Sequence, residues 1–211
     1  MQIVRTRRRS RAQIVVLWGA LSLAFLLLLL QAQPARANID AGTVITVTST
    51  LAGTGSRCTL RAALTAANQG AVVDECNGSG GAPYTIVLAN GAVYTLFEVD
   101  NIGEYSHSNG LPIIHAPITI EGNGAVIERA PVPRVPPFRL FEVAITGTLR
   151  LHEVTLRGGA QEDGGGIMNF GNTEIANSTL TANGSGCGGA IDNAGTLVIQ
   201  QSAIVQNMAD G

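Results

Sequence analysis

The chain has 211 residues, of which 26 are glycine and only 4% are aromatic, a composition that fits short strands joined by tight turns in one domain. It carries 13 basic and 15 acidic side chains but no lysine, and no basic residue follows Arg157. A nucleic-acid partner is excluded, because there is no Lys/Arg surface to neutralise its phosphates.

The first 37 residues have the layout of a secretory signal peptide. Five arginines among residues 5–11 form a basic region, and residues 14–30 are almost entirely apolar. Ala35 and Ala37 then form a small-x-small site, which predicts cleavage after Ala37 and a protein that is secreted or displayed at the cell surface. The alternative is an uncleaved membrane anchor, because the apolar run approaches a spanning length.

Export sets the charge and the redox state of the mature chain. Cleavage leaves seven basic and fifteen acidic residues, a net charge of about −8. Disulfides are permitted outside the cytosol, and Cys58 and Cys76 bracket a short helix and its following loop, so we expect them to pair. Cys187 is then left over, as a small turn residue or, alternatively, as the site of an intermolecular bond.

Residues 38–80 are predicted to form an N-terminal cap made of one strand and one helix. Residues 43–50 are rich in β-branched side chains, which favours a strand. Residues 59–68 place apolar side chains at i, i+3, i+4 and i+7 from Leu60, which predicts a helix that Asn68 and Gly70 close. Such a cap would cover the apolar end of the stack that follows.

Residues 81–211 are predicted to form short strands separated by Gly, Asn and Pro turns. Two interruptions, residues 98–111 and 130–137, are expected to be loops that project from one side. The expected strands before the regular repeats are residues 85–88, 93–96, 118–120, 125–127 and 138–143.

The strongest pattern is an internal repeat with a period of about 24 residues, a length typical of stacked repeat architectures. Gly164–Gly171 returns as Gly188–Gly195, and the same offset relates Ile175 to Ile199. A fixed period of this length predicts coils that bury their apolar faces by stacking on one another. We therefore expect an all-β, single-stranded parallel β-helix with about 24 residues per coil.

Asparagine and glycine recur at fixed positions of the repeat. Stacked coils lie about 4.8 Å apart, which would put Asn169 beside Asn193 and Asn183 beside Asn207 in amide ladders. Both residue types tolerate positive φ, so we expect their main role to be backbone geometry. The repeat positions of this kind are Gly164, Asn169, Asn183, Gly188, Asn193 and Asn207.

Residues 58–64, Cys-Thr-Leu-Arg-Ala-Ala-Leu, followed by Ala66-Ala67-Asn68, resemble the Cys-Ser-Leu-Arg-Glu-Ala (CSLREA) motif. That motif opens many exported bacterial right-handed parallel β-helix proteins. Ala62 replaces the glutamate of the motif, so any role of that carboxylate is absent here.

Gly188–Ile191 and Leu180–Asn183 resemble the Gly-Gly-Ala-(Ile/Leu) and Phe-x-x-Asn repeats of polymorphic outer-membrane proteins, with leucine in place of phenylalanine. Together the resemblances cover roughly residues 43–207. They imply a right-handed β-helix that is secreted or displayed at the surface, often as part of a longer protein with its own anchor.

The spacing of charged residues argues against catalysis and against a cofactor. A calcium-dependent lyase needs converging carboxylates and a basic residue. In the register of the repeat no two carboxylates fall on adjacent coils, and no arginine is available there. His107, His115 and His152 are scattered, so no zinc site is expected.

One acidic loop is a candidate for metal binding. Glu98, Asp100 and Glu104 share residues 98–111. Such a run is a solvated loop or, alternatively, a weak Ca²⁺ site.

The sequence thus predicts a non-enzymatic, adhesin-like or structural surface protein that binds carbohydrate or protein partners. The alternative is a polysaccharide lyase or glycoside hydrolase of pectate-lyase-like fold, with its site on residues 98–111 and 130–137. Gly211 falls one period after Cys187, where the next coil should begin. We therefore expect the repeats to continue in a longer protein, or the open end to pair with a partner.

Overall fold

The computed structural model describes residues 42–51 and 57–210 of the chain. This part is rich in strands and contains a large parallel sheet. The predicted signal segment, with Ala35 and Ala37, lies outside the described residues. Within the described ranges, no helix is both long enough and apolar enough to cross a membrane.

A helix forms where the apolar periodicity predicts one. Helix α1 spans Leu60–Gln69, and the hydroxyl of Thr59 caps it by accepting a 3.2 Å hydrogen bond from the backbone N–H of Ala62. Gly70 ends the helix at φ 61°, a left-handed conformation that glycine adopts without strain. Asn68 lies inside the helix rather than closing it, and its side-chain amide donates to a backbone carbonyl of a later segment at 2.7 Å.

Cys58 and Cys76 form the expected disulfide, with a sequence separation of 18 residues and a Cα–Cα distance of 4.8 Å. Replacing both by serine is expected to lower the free energy of unfolding by about 3 kcal/mol, because the unfolded chain regains the entropy of an open loop. Urea unfolding would measure this loss. Cys187 is exposed and free, so Cys187→Ser is the matched control and should leave the midpoint unchanged. An unchanged midpoint in the double variant would contradict the prediction.

Two strands, Tyr84–Val87 and Val93–Leu96, lie close to the predicted residues 85–88 and 93–96, and most of the strands are short. Their bounds are β1 Thr43–Thr46, β2 Val72–Val73, β3 Cys76–Asn77, β4 Tyr84–Val87, β5 Val93–Leu96, β6 Asn101–Ile102, β7 Ser108–Asn109, β8 Pro117–Arg129, β9 Phe141–Val143, β10 Thr148–Arg157, β11 Ile167–Asn169, β12 Asn172–Ala176, β13 Thr179–Thr181, β14 Gly184–Ser185, β15 Ile191–Asn193, β16 Thr196–Gln200, β17 Ala203–Val205 and β18 Met208–Ala209.

Three strands differ from the prediction. β1 is shorter than residues 43–50, and β9 is shorter than residues 138–143. The two strands predicted at residues 118–120 and 125–127 form the single strand β8. Asn123 and Gly124 have φ of 51° and 76°, so the chain bends between the two halves while both keep their place in the sheet.

Parallel pairing with one constant sequence offset, equal to the period of the repeat, organises the second half of the chain. Leu151 on β10 pairs with Ile175 on β12, which pairs with Ile199 on β16. The same offset joins β10 to β13, β13 to β17, β11 to β15, and β14 to β18. The sequence repeat is therefore a repeat of strand pairing, in three separate sheets.

A column of glycines shows how closely neighbouring repeats approach. The N–H of Asn172 donates to the carbonyl of Gly147 at 3.1 Å, and the N–H of Thr196 donates to the carbonyl of Gly171 at 2.8 Å. A Cβ atom on Gly171 or Gly195 would overlap the carbonyl oxygen of the preceding glycine in the column. Glycine recurs here because any side chain would push the repeats apart.

The core is a stack of aliphatic side chains from the paired strands. Leu151 and Ile175 are 1% and 0% exposed, and Leu156 and Leu180 are fully buried. Ile199, in the last described repeat, is 41% exposed, since β16 has a strand neighbour on one side only within the described residues.

Candidate functional site

A pocket of about 720 Å³ lies between the loop of residues 98–111 and the segments that follow β9 and β11. We call it the loop pocket. Its wall combines aliphatic side chains with two aromatic rings and several polar groups. The residues that matter below are Glu104, Tyr105, His115, Glu142, Thr146 and Phe170.

The loop does not project freely but folds back onto the segment before β9. Within it, β6 and β7 pair as a small antiparallel hairpin around a 3₁₀ turn at Glu104–Ser106. The N–H of Gly110 donates to the carbonyl of Arg139 at 2.8 Å, and the N–H of Arg139 donates to Ser108 at 3.1 Å. These backbone bonds fix the loop and give the pocket one rigid wall.

The Glu142 side chain is hydrogen-bonded to the loop. Its side chain is buried, and Oε2 accepts from Asn109 Nδ2 at 2.9 Å while Oε1 accepts from the backbone N–H of Glu104 at 3.2 Å. A Cβ atom on Gly103 would overlap this carboxylate, so the close approach requires glycine. The Glu142 carboxylate is therefore a positioning group for the turn that carries Tyr105.

Arg139 lies beside Glu142 and is completely buried. Its Nη1 is 3.9 Å from Glu142 Oε2, and none of its guanidinium nitrogens makes a hydrogen bond within the described residues. Burial lowers the pKa of Arg139, and the carboxylates of Glu142, Asp163 and Asp192 partly oppose that shift. The prediction that no arginine is available near the acidic residues of the repeats was wrong, because Arg150 pairs with Glu174 at 3.3 Å. The carboxylates of Asp163 and Asp192 also act on Arg139.

Two aromatic rings meet at the pocket. The Tyr105 ring is 5.8 Å from that of Phe170, with the planes tilted by 55°, and the Tyr105 residue is 66% exposed. Phe170 stands where the neighbouring repeats carry Ala144 and Ala194. This departure from the repeat is the signal in the sequence that marks the pocket, and sequence reasoning missed it.

The three histidines have different neighbours. His107 lies 3.4 Å from Asp163, and His115 is at the loop pocket. His152 binds Glu121 at 2.8 Å, and this hydrogen bond raises the pKa of the imidazole. Across the described ranges, no group of three or more His, Cys, Asp or Glu side chains is arranged to hold a metal ion.

The acidic residues of the loop are divided between two places. Glu98 and Asp100 both pair with Arg61, at 3.2 and 2.9 Å. Glu104 lies instead at the loop pocket. The three carboxylates considered as a weak Ca²⁺ site therefore do not surround a common point, and two of them already have a cationic partner.

The repeat asparagines form the expected ladders. Asn169 Nδ2 donates to Asn193 Oδ1 at 2.6 Å, and Asn183 Nδ2 donates to Asn207 Oδ1 at 3.0 Å. Gly164 and Gly188 adopt positive φ, of 58° and 64°.

The prediction that asparagine serves backbone geometry was wrong for these four residues, none of which has a positive φ. Left-handed conformations occur instead at Glu153, Asn177 and Gln201, one period apart. The ladder asparagines are selected by the hydrogen bonds of their side chains.

Comparison with known proteins finds no matching family model, no matching curated protein and no matching solved structure. The assignment of function therefore depends on the chemistry of the loop pocket. The pocket offers an exposed aromatic ring, an exposed carboxylate on Glu104, and polar side chains at His115 and Thr146. This combination suits the binding of a polar ligand with an apolar face.

Proposed function

We propose that this chain is an exported right-handed parallel β-helix protein, secreted or displayed at the cell surface, that binds carbohydrate or protein partners without chemical turnover. The observation that carries the proposal is the exposed Tyr105 ring, packed on Phe170 beside a pocket of about 720 Å³. An aromatic ring held at the mouth of a cavity provides a large contact area and loses little conformational freedom on binding.

The β-helix part of the proposal is supported by the constant register. Three parallel sheets share the same offset, which equals the period of the repeat, so each repeat contributes a strand to each sheet before the chain returns. Parallel connections within one sheet are right-handed in nearly all proteins, which supports the right-handed form.

The export part is supported by the basic and apolar N-terminus, which ends in Ala35 and Ala37. The Cys58–Cys76 disulfide is consistent with it, because such bonds persist in oxidising compartments.

Binding is tested with a glycan array and a pull-down, followed by titration of each ligand found. Isothermal titration measures the affinity of the mature chain and of each variant without depending on a tyrosine signal. Tyr105→Ala is expected to weaken binding about tenfold, by loss of one aromatic contact. The control is Phe97→Ala, which removes another exposed ring that does not line the pocket. Equal binding by both variants and the parent would refute the pocket as the site.

The second candidate function is a polysaccharide lyase or glycoside hydrolase. It is favoured by one observation, that the carboxylates of Glu104 and Glu142 border the same pocket, as the pair in a glycosidase does. Against an enzyme, both oxygens of Glu142 are already hydrogen-bonded within the protein, and Arg139 is buried away from the pocket's solvent. Steady product formation from polysaccharides that Glu104→Gln abolishes would establish the enzyme.

A further inference from the structure

Three polar side chains of the loop pocket, unlike that of Glu142, have no hydrogen-bond partner in the part of the chain that the structure describes. Within the described residues, the side chains of Glu104, His115 and Thr146 make no hydrogen bond or ion pair, and all three residues are exposed. They border a single cavity together with Tyr105 and Phe170. Polar side chains that line a pocket with aromatic walls and lack a protein partner determine which ligand the pocket selects.

The charge of the pocket favours a cation. The Glu142 carboxylate is offset by Arg139 at 3.9 Å, so the exposed Glu104 carboxylate is the charge left to a ligand. The faces of Tyr105 and Phe170 carry negative electrostatic potential, which attracts a cation within about 6 Å of the ring centre. An acidic polysaccharide would bring like charge to Glu104 and, after export, to a chain with a net charge of about −8.

The turn that presents these groups is held in one conformation. Tyr105 has φ 56° and ψ 20°, and Ser106 follows with φ 61°, conformations that bulky side chains rarely adopt. The Glu142 bond to the N–H of Glu104 and a 2.8 Å bond from Gly103 to His107 keep the turn in place. Tyr105 and Glu104 are therefore preorganised beside each other, which lowers the entropic cost of binding.

We propose that the loop pocket binds an amino sugar through its free, protonated amine, an inference that rests on the proposed carbohydrate-binding function. The ammonium group contacts Glu104 and the aromatic faces, and the apolar C–H face of the sugar ring packs on Tyr105. His115 and Thr146 are the partners for the sugar hydroxyls. A cavity of about 720 Å³ accommodates a sugar ring and its neighbours, whereas a single lysine side chain would leave most of it empty.

The test compares glucosamine oligomers with their fully N-acetylated counterparts, which have the same skeleton without the charge. Isothermal titration of the mature chain should show at least about tenfold tighter binding of the glucosamine oligomer, since a cation–π and carboxylate contact is gained. Glu104→Gln should remove this preference, and added salt should reduce it. Glu75→Gln, which neutralises an exposed carboxylate away from the pocket, is the matched control and should retain the preference.

The variants Tyr105→Phe and Tyr105→Ala distinguish the contribution of the aromatic ring to the affinity from that of its hydroxyl. The phenylalanine variant should keep most of the affinity, and the alanine variant should lose about tenfold. Circular dichroism and urea unfolding verify that each variant is folded.

Equal binding of both oligomers, or a preference that Glu104→Gln leaves intact, would overturn the inference while leaving glycan binding standing. A lysine-rich peptide that binds through Glu104 when no amino sugar does would also overturn it. Absence of any glycan or protein ligand would instead count against the proposed function itself.

Discussion

Replacing Glu142 by glutamine is expected to lower the free energy of unfolding by about 3 to 5 kcal/mol, although the substitution changes neither size nor shape. The loss follows from the charge that remains. Arg139 is fully buried and makes no hydrogen bond among the described residues, so the carboxylate 3.9 Å away is its nearest compensation. Without it, a desolvated guanidinium has only the more distant Asp163 and Asp192 as opposing charges.

The hydrogen-bond pattern adds to this effect. Glu142 accepts from Asn109 Nδ2 and from the N–H of Glu104, both of which are donors. An amide at position 142 can accept only through its one oxygen, so its NH₂ group must face a donor or turn toward Arg139. Urea unfolding at constant slope measures the combined loss.

One further variant separates the effect of the charge from that of the hydrogen bonds, and another compares the buried ion pair with an exposed one. Adding Arg139→Met to Glu142→Gln removes the uncompensated cation and should restore most of the stability. Glu174→Gln breaks the pair with Arg150, in which both side chains are more than 40% exposed, and should cost less than about 1 kcal/mol. Equal losses of unfolding free energy for Glu142→Gln and Glu174→Gln would show that the buried Arg139–Glu142 pair stabilises the fold no more than an exposed pair.

The Glu142→Gln substitution should also affect the candidate site. Glu142 holds the N–H of Glu104, the residue before Tyr105. Because glutamine keeps only one acceptor oxygen for two donors, the bond to the Glu104 N–H should weaken, which speeds hydrogen exchange at Glu104 and loosens the turn that presents the aromatic ring. Ligand affinity should then fall through lost preorganisation even though residue 142 keeps its size.

The features predicted correctly from the sequence are those that follow from local periodicity. The apolar spacing from Leu60 predicts helix α1, and the offset between Ile175 and Ile199 is the observed strand register. Both patterns are complete within one segment or one period, so no distant residue is needed to interpret them. The Cys58–Cys76 pair was predictable for the same reason, since it closes a short loop around the helix.

The site was missed because it depends on a change of register. Met168 pairs with Asp192 one regular period later, but the offset between Met168 and its earlier partner, Glu142, is longer than that period. Counting back by one regular period from Met168 therefore gives the wrong strand partner for it in the preceding repeat. Arg139 was hidden in the same way, since its neighbours come from the loop of residues 98–111 and from later repeats.

The asparagine ladder shows where a correct pattern led to a wrong reason. The sequence spacing of Asn183 and Asn207 is the observed pairing, but neither residue has positive φ. Periodicity reveals that a position is constrained without revealing whether the backbone or the side chain imposes the constraint. Mutation to alanine separates the two, because alanine fits the backbone of Asn183 and removes only its amide.

Asn183→Ala is accordingly expected to lower the free energy of unfolding by about 4 kcal/mol, because two buried backbone groups lose their partners. Asn183 is 1% exposed, its Oδ1 accepts from the N–H of Gly159 at 3.0 Å, and its Nδ2 donates to the carbonyl of Leu156 at 3.2 Å. Both groups belong to the preceding repeat, so the amide joins one repeat to the next. Hydrogen exchange at Gly159 should accelerate together with the loss of stability.

The control is the same substitution one period later. Asn207 makes the equivalent bonds to Asn183 and Leu180 but is only half-buried, so water can replace its amide. Asn207→Ala should therefore cost only about 1 kcal/mol. Urea unfolding of the two variants under identical conditions decides the matter. If Asn207→Ala were as damaging as Asn183→Ala, the ladder would act through side-chain pairing along the stack, and burial of the backbone groups would not explain the constant spacing of the repeat.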